Sequence, residues 1–314
     1  MDDVTDTVFR QVIADTAPPD LYFTEFVNVD ALQSNPPAGG KEATLPRLKF
    51  TDKERPIIAQ LWGTNPENFY KSARELMEMG FDGMDINFGC PEKNVVRNNT
   101  CSAFILPQNR QKAVEIIQAT REGATAAGAS LPIGQAGLPV SVKTRLGFND
   151  VDFTWHELLL NQKLNMLTIH GRTRKEMSKV PAHWDDIGHI RELRDQLSPG
   201  TLIVGNGDVL TRSHGSQLAA QYSLDGIMIG RGVFHDPFVF AEDSPWGSFT
   251  KQQRIELYAK HVKLFADTWR HNERKVHTLN KFCKVYIQSF DGAKELREQL
   301  MAAKTTAELL NLLA

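Results

Sequence analysis

Short apolar runs recur along the chain, each followed by a stretch whose apolar residues return every three or four positions. The runs are LYFTEFV (21–27), PIIAQLWG (56–63), GMDINFGC (83–90), VSVKTRLG (140–147), MLTIHGRT (166–173), TLIVGNGDV (201–209) and GIMIGRGVF (226–234). Between them lie amphipathic segments such as PENFYKSARELMEMG and WDDIGHIRELRDQL, with Pro66 and Pro107 suited to a first helical turn. Near-continuous apolar strands alternating with helices predict an α/β protein with a parallel sheet covered on both faces. Seven such strands without a long reversal favour a (β/α)8 TIM barrel. An open doubly wound sheet would want G-x-G-x-x-G after its first strand, and none is present. The chain opens on a helical pattern, Thr5 to Ile13, with a Thr or Asp cap, so the barrel's first strand is expected to be missing. Either the fold begins abnormally or Met1 is internal to a longer natural chain.

From about residue 249 the β pattern stops, and residues 250–271, 274–289, 292–303 and 304–313 read as helices separated by Asn272, Gly292 and Thr305. This divides the chain into a barrel (1–248) and a small helical domain (249–314). Segments 34–55 and 124–139, rich in Pro, Gly and Ala, read as insertions.

Composition changes this picture little: 314 residues, 41% hydrophobic and 24% charged, are ordinary for a globular protein. No stretch approaches the roughly 18 apolar residues of a membrane span, and the acidic start MDDVTD is no signal peptide. Three cysteines without a C-x-x-C pair point to a reduced, cytoplasmic protein, expected to act as a monomer. Charge is more informative. Residues 250–304 carry twelve Lys/Arg against six Asp/Glu, a net +6 in a chain of −2, so the remainder holds −8. A basic segment beside an acidic body suits an anionic partner, or equally a solvated lysine-rich face.

Polar residues gather where each strand ends: Glu25, Gln60, Asn87 and Cys90, Lys143 and Arg145, His170 and Arg172, Asn206 and Asp208, Arg231. In this barrel type those ends share one face, so the residues converge on one pocket. Gly205-Asn206-Gly207-Asp208 and Gly230-Arg231-Gly232, after the last two strands, suit backbone approach to a phosphate. Flavin mononucleotide and pyridoxal phosphate are the cofactors this suggests. Lys143 and Arg145, on one face of their strand, can hold charge on a reduced flavin, or Lys143 can form a Schiff base. Cys90, between Gly89 and Pro91, is largely protonated near neutral pH at its ordinary pKa of about 8.5 and can serve as an acid. Cys101 and Cys283 read as packing residues. The nine histidines show no metal-ligand spacing, so no metal is expected.

Together these motifs resemble the FMN-dependent tRNA-dihydrouridine synthases along nearly the whole chain. The matching stretches include YFTEFV, PIIAQLWG, DINFGCPEKNVV, PVSVKTRLG, TIHGRTRKEM, VGNGDV, DGIMIGRGVFHDP and the tail KFCKVYIQSFDGAKELREQLMAA. The resemblance implies reduction of a tRNA uridine at C5–C6, with FMN as cofactor and NADPH as electron source. It makes Cys90 the proton donor to C5. It assigns Gln60, Lys143 and His170 to the flavin ring and ribityl chain, and Asn206, Gly207, Asp208, Gly230 and Arg231 to the phosphate end. It sets Asn87, Arg145 and Arg172 beside the uracil, and Lys281 and Lys284 of the basic tail against tRNA. Two departures stand out. Of the family's first-strand Ala-Pro-Met only Met1 remains to border the flavin, and the usually glycine-rich loop after the cysteine reads Arg97-Asn98-Asn99-Thr100-Cys101. Competing readings are a dihydroorotate-type dehydrogenase acting on a free pyrimidine, and a non-catalytic RNA-binding protein.

Overall fold

The computed structural model describes residues 1, 3–34, 40–128, 137–271 and 273–314, side chains of 126–128 excepted. The separator Asn272 and the inner parts of both insertions, 35–39 and 129–136, lie outside the described residues. Among the described residues, seven strands form one parallel sheet in chain order: β1 (Tyr22–Asn28), β2 (Ile57–Trp62), β3 (Gly83–Asn87), β4 (Val140–Arg145), β5 (Met166–His170), β6 (Leu202–Asn206) and β7 (Gly226–Met228). This is the sheet of a (β/α)8 barrel with seven strands present, and β1 and β7 are its edges. The helices are α1 (Thr7–Thr16), α2 (Val29–Leu32), α3 (Gly40–Leu48), α4 (Pro66–Glu78), α5 (Lys93–Arg97), α6 (Arg110–Gly128), α7 (Phe153–Asn161), α8 (Trp184–Leu197), α9 (Arg212–Tyr222), α10 (Lys251–Thr268), α11 (Asn280–Tyr286), α12 (Ala293–Ala302) and α13 (Thr306–Leu313). No described helix is long and apolar enough to cross a membrane.

Local chemistry sets most element ends. Asp6 caps α1 by accepting the Phe9 N–H at 3.0 Å, and Thr250 with Gln253 forms a reciprocal capping box on α10. The strand faces that meet the helices are apolar: Ile57, Ala59, Leu61, Met84, Ile86, Val140, Val142, Leu167 and Ile169 are all essentially inaccessible, while the alternate positions, among them Gln60, Asp85, Asn87, Ser141, Lys143 and Thr168, point into the barrel and are polar.

Three expectations about the elements themselves need correction. The 34–55 insertion holds α3 and a 3-10 turn at Asp52–Glu54; the buried Glu54 ties that turn to α1 by accepting from Thr7 Oγ1 (2.7 Å) and Arg10 Nε (2.6 Å). The last strand stops at Met228, because Gly230 (φ −104°, ψ −95°) leaves the extended region and a 3-10 turn follows at Arg231–Phe234. The helix expected at 274–289 is only a 3-10 turn (Val276–Leu279) and the two-turn α11.

Glu25, expected at the pocket, is turned away by a bulge. Phe23 pairs with Ile58 and Phe26 with Gln60, so β1 spends one residue more than β2 over this step. The Glu25 carboxylate, wholly buried, instead takes both ends of the Arg274 guanidinium, with Nη1 at 3.2 Å and Nη2 closer still. Trp269 Nε1 donates to Asp6 at 3.2 Å beside it, so the segment after α10 is fastened to the barrel's opening residues. Burial pushes the Glu25 carboxyl upward and Arg274 opposes the push. Arg274→Ala, which leaves the carboxylate buried and unpartnered, is expected to cost about 3–5 kcal/mol in chemical denaturation. Glu25→Leu combined with Arg274→Met should recover most of that loss; a double variant no better than Arg274→Ala would contradict the buried-charge account.

Candidate active site

The C-terminal strand ends line a cavity of about 1180 Å³. Register brings them into one row: Gln60 lies beside Asp85, Asn87 beside Lys143, Arg145 beside His170, and His170 beside Asn206. The period of two along each strand then aims Asp85 with Asn87, and Lys143 with Arg145, to the same side. Met1, Gln60, Asn87, Cys90, Lys143 and His170 all reach the cavity, as do Arg145 and the residues 206–208 and 230–231.

Under this row runs a chain of polar contacts. Asp85, fully buried, accepts from Ser141 Oγ at 2.6 Å and from Gln60 Nε2 at 2.7 Å. That fixes the Gln60 amide, whose Oε1 accepts from Asn87 Nδ2 at 3.2 Å. The Asn87 Oδ1 in turn accepts the N–H groups of Gly89 and Cys90, both at 3.0 Å. One buried carboxylate therefore orients two amides and the turn that presents the thiol. Burial raises the Asp85 carboxyl to about 6, with Ser141, Gln60 and Lys143 opposing. Asp85 has no place in the sequence reading; its position two residues before Asn87, on the same strand face, was the available signal.

Beside it, on β4 and the strand exits that follow, stands a cationic wall. Lys143 Nζ donates to Asn206 Oδ1 at 3.2 Å, and Asn206 Nδ2 to the Met228 carbonyl at 2.8 Å. Burial and the Arg145 charge bring the Lys143 ammonium down to about 8, so it remains mostly charged at pH 7. Arg145 donates to the carbonyls of Gly89 (2.7 Å), Thr173 (3.1 Å) and Met177 (3.2 Å), which locks the turn after β3 to the loop after β5. Arg172 is buried and does not line the cavity, unlike the uracil-side position the sequence suggested. It donates to the Val180 carbonyl (2.5 Å), to His170 Nε2 (3.2 Å) and to Asp208. A guanidinium only donates, so His170 Nε2 accepts and the ring proton sits on Nδ1. Burial, then Lys143 and Arg145, hold that imidazole neutral, far below its ordinary range.

Asp208, at φ +55°, uses its carboxylate on Arg172, on the Ala182 N–H (3.0 Å) and on Arg231 (3.5 Å), so only backbone is left there to meet an anion. Gly207 has φ +137°, and a Cβ on it would lie 2.7 Å from the Ala182 Cβ; glycine is required. Gly230 faces open space. Lys281 and Lys284 sit on α11; Lys281 donates to the Asp3 carbonyl at 2.6 Å, and neither lines the cavity.

Cys90 is half-buried at the cavity edge, and the segment of the buried Cys101 is tied to it by Ser102, whose Oγ and N–H both donate to the Cys90 carbonyl, at 2.8 and 3.4 Å. Cys283 is core, as expected, with the Tyr258 hydroxyl at 3.1 Å. Among the described residues no His, Cys, Asp and Glu cluster could hold a metal ion.

The family model described as Dihydrouridine synthase matches residues 1–314. The chain belongs to the dihydrouridine synthase family. Its relatives include the "Probable tRNA-dihydrouridine synthase 2" of Bacillus subtilis (strain 168), 44% identical over 316 residues, covering 100% of this chain and 91% of the relative. The "Probable tRNA-dihydrouridine synthase" of Staphylococcus aureus (strain COL) is 42% identical over 315 residues, covering 100% and 90%. Among solved structures, morphinone reductase in complex with tetrahydroNAD is similar at 12% identity and a TM-score of 0.48, covering 79% of this chain and 85% of that one. Histamine dehydrogenase from Rhizobium sp. 4-9 is similar at 12% and 0.49, covering 84% and 43%. Likenesses of that strength carry nothing about function.

A flavin suits the dihydrouridine synthase cavity by its donor set: a neutral His170 N–H, the Lys143 ammonium, and bare backbone at Gly207 all face a group rich in acceptors and negative charge. The network beneath is testable through pH. Asp85 has a raised folded pKa, so its contribution to stability is full below its unfolded pKa near 3.8 and is lost as pH rises through about 6. Asp85→Asn escapes that loss. Denaturation should find the variant gaining on the parent by about 3 kcal/mol between pH 4 and pH 7; a constant difference would show that Asp85 does not titrate in this range.

Proposed function

We propose that the protein reduces a uridine of tRNA to 5,6-dihydrouridine, with FMN in the strand-end cavity, NADPH as electron source and Cys90 as the acid, in the reduced setting of the cytoplasm. The observation that carries this reading is Cys90 itself: a half-buried thiol at the cavity edge, facing the cationic wall, in a chain of this family. Lys143, His170 and Asn206, with the backbone at Gly207 and Asp208 and at Gly230 and Arg231, would hold FMN, while Gln60 and Asn87 border its ring. Bound FMN would supply the hydride for C6 of the uracil.

The chain's own residues account for the rest. Negative charge developing on the uracil is met by Lys143 and by the Arg145 charge, in a site where burial strengthens both. Cys90 gives its proton to C5. The neighbouring Cys101, the Glu92 backbone and Arg145 bring the thiol down to about 7 and so favour the sulfur left behind. An acid at that value is matched to neutral pH. The target base must leave its stack to reach this depth.

The helices of 249–314 would meet the tRNA backbone. Several of their cations have structural duties: Arg254 donates to the Trp246 carbonyl, Lys260 pairs with Asp15, Arg274 with Glu25, and Arg297 with the Ile287 carbonyl. Lys275, Lys284 and Lys294 are among the exposed cations of this region available to phosphate, with Lys263 and Lys304.

Cys90→Ala should retain FMN, yet lose about 10²-fold in dihydrouridine formed per single turnover on unmodified tRNA, as expected for a missing positioned acid. Because the acid acts only when protonated, the parent's rate should hold below about pH 7 and fall as pH rises through it. A Cys90→Ala enzyme as fast as the parent would remove the assignment. Separately, Lys275→Gln, Lys284→Gln and Lys294→Gln together should weaken tRNA binding and lower the slope of log K against log salt by about two to three, with FMN content unchanged. An unaltered slope would move the RNA surface elsewhere.

A further inference from the structure

The turn between β5 and α8 is tied down along most of its length, yet it holds one apolar side chain out to solvent. Thr173 and Glu176 exchange hydrogen bonds, the Thr173 N–H on Glu176 Oε2 at 2.8 Å and the Glu176 N–H on Thr173 Oγ1 at 3.2 Å. The N–H groups of Arg174 and Lys175 donate to the carbonyls of Gly147 and Phe148, and that of Lys179 to the Glu176 carbonyl, each at 2.9 Å. Met177, within this frame, is 43% exposed, lines the cavity and stands at φ +55°, a backbone region that bulky side chains rarely adopt. One guanidinium fixes its place relative to the thiol. Arg145 donates to the Met177 carbonyl at 3.2 Å and to the carbonyl of Gly89, next to Cys90, at 2.7 Å. Two residues to either side of Met177, Lys175 and Lys179 are exposed and have no ion-pair partner among the described residues.

We propose that this turn is a nucleotide-docking surface at the mouth of the cavity: Met177 packs against the face of a base adjoining the target uridine, while Lys175 and Lys179 meet the phosphates beside it. This rests on the reading that a tRNA uridine enters the cavity. A uridine that leaves its stack uncovers a face of each base it was stacked on. That face is flat and largely apolar, and a polarizable thioether on an unbranched side chain can cover it whatever the base. Phosphates flank every nucleotide, and the two ammonium groups match their sign. Because hydrogen bonds already hold the turn in shape, docking there costs little ordering of the backbone. Other partners fit only half of the surface: an apolar peptide leaves the lysines unused, and a simple anion leaves the thioether unused.

The test uses the FMN-loaded enzyme with unmodified tRNA and reads Kd, its salt dependence, KM and kcat. Met177→Ala should raise Kd and KM about tenfold, the loss expected for uncovering most of a methionine side chain. Its kcat, FMN content and flavin reduction by NADPH should match the parent. Met177→Gly, which keeps the left-handed turn without a side chain, should weaken binding as much as Met177→Ala, and Met177→Leu should stay near the parent. None of these removes a charge, so the slope of log K against log salt should hold. Lys175→Gln together with Lys179→Gln should weaken binding and lower that slope by about one to two. An unchanged Kd in the Ala and Gly variants, or a loss of kcat or FMN in place of affinity, would overturn the proposal. So would a Met177→Leu enzyme no better than Met177→Ala, or an unaltered slope in the double lysine variant. If tRNA binding depends on Met177 and the two lysines as stated but the parent forms no dihydrouridine, the docking surface stands and the assigned reaction fails.

Discussion

The carboxylate of Asp85, sealed beneath β3, is the constraint from which the site's geometry follows. A buried charge is tolerated only when its lone pairs are occupied, and here Ser141 and Gln60 occupy them. Because a carboxylate only accepts, Gln60 must present its amide nitrogen to it, and must then offer its oxygen to Asn87. Asn87 is left with its own oxygen toward the Gly89 and Cys90 N–H groups. Each orientation is forced by the one before. A thiol at a strand exit would otherwise sit on a loop free to choose several conformations.

The adjoining cationic wall obeys the same logic with the sign reversed. Lys143, Arg145 and Arg172 are gathered in a place that penalises charge, and each is anchored by carbonyls or a carboxamide. Burial and their fields keep His170 neutral, and Arg145 helps to draw Cys90 downward. A cavity with neutral N–H donors, fixed cations and a thiol near half-ionisation is suited to holding negative charge and passing one proton. It is poorly suited to acyl transfer, which needs a base that can become cationic.

The barrel and the helices after it are not joined by a loose linker. Arg274 reaches Glu25, Trp269 reaches Asp6, and α10 packs on α1, so one hydrophobic core runs from the strands into the C-terminal helices. Any surface those helices offer to a partner is held at a fixed distance from the cavity. Part of the basic charge that pointed to an anionic partner, Lys260 on Asp15 and Arg274 on Glu25, serves this attachment, which charge counting along a sequence has no means of separating from free charge.

Period and composition alone determined the strand and helix order, the parallel sheet, the gathering of polar residues at strand exits and the placement of Cys90, because each is a local property of a few consecutive residues. Strand runs near-continuous in apolar residues can be satisfied only by burial on both faces, and Gly89 and Pro91 flank the thiol within the same turn. Only tertiary structure decided the partners. Glu25 looked like its neighbours at the strand ends, but a one-residue bulge sent it to Arg274, 249 positions away. Arg172 shares its strand exit with His170, yet it is drawn under the floor by Asp208 and Val180. Ser102 gives no sign in sequence of the two hydrogen bonds by which it ties its segment to the Cys90 carbonyl. Side-chain direction at a strand end depends on what lies across the barrel, and that is set by register and bulges summed over the whole sheet, which no window of sequence contains.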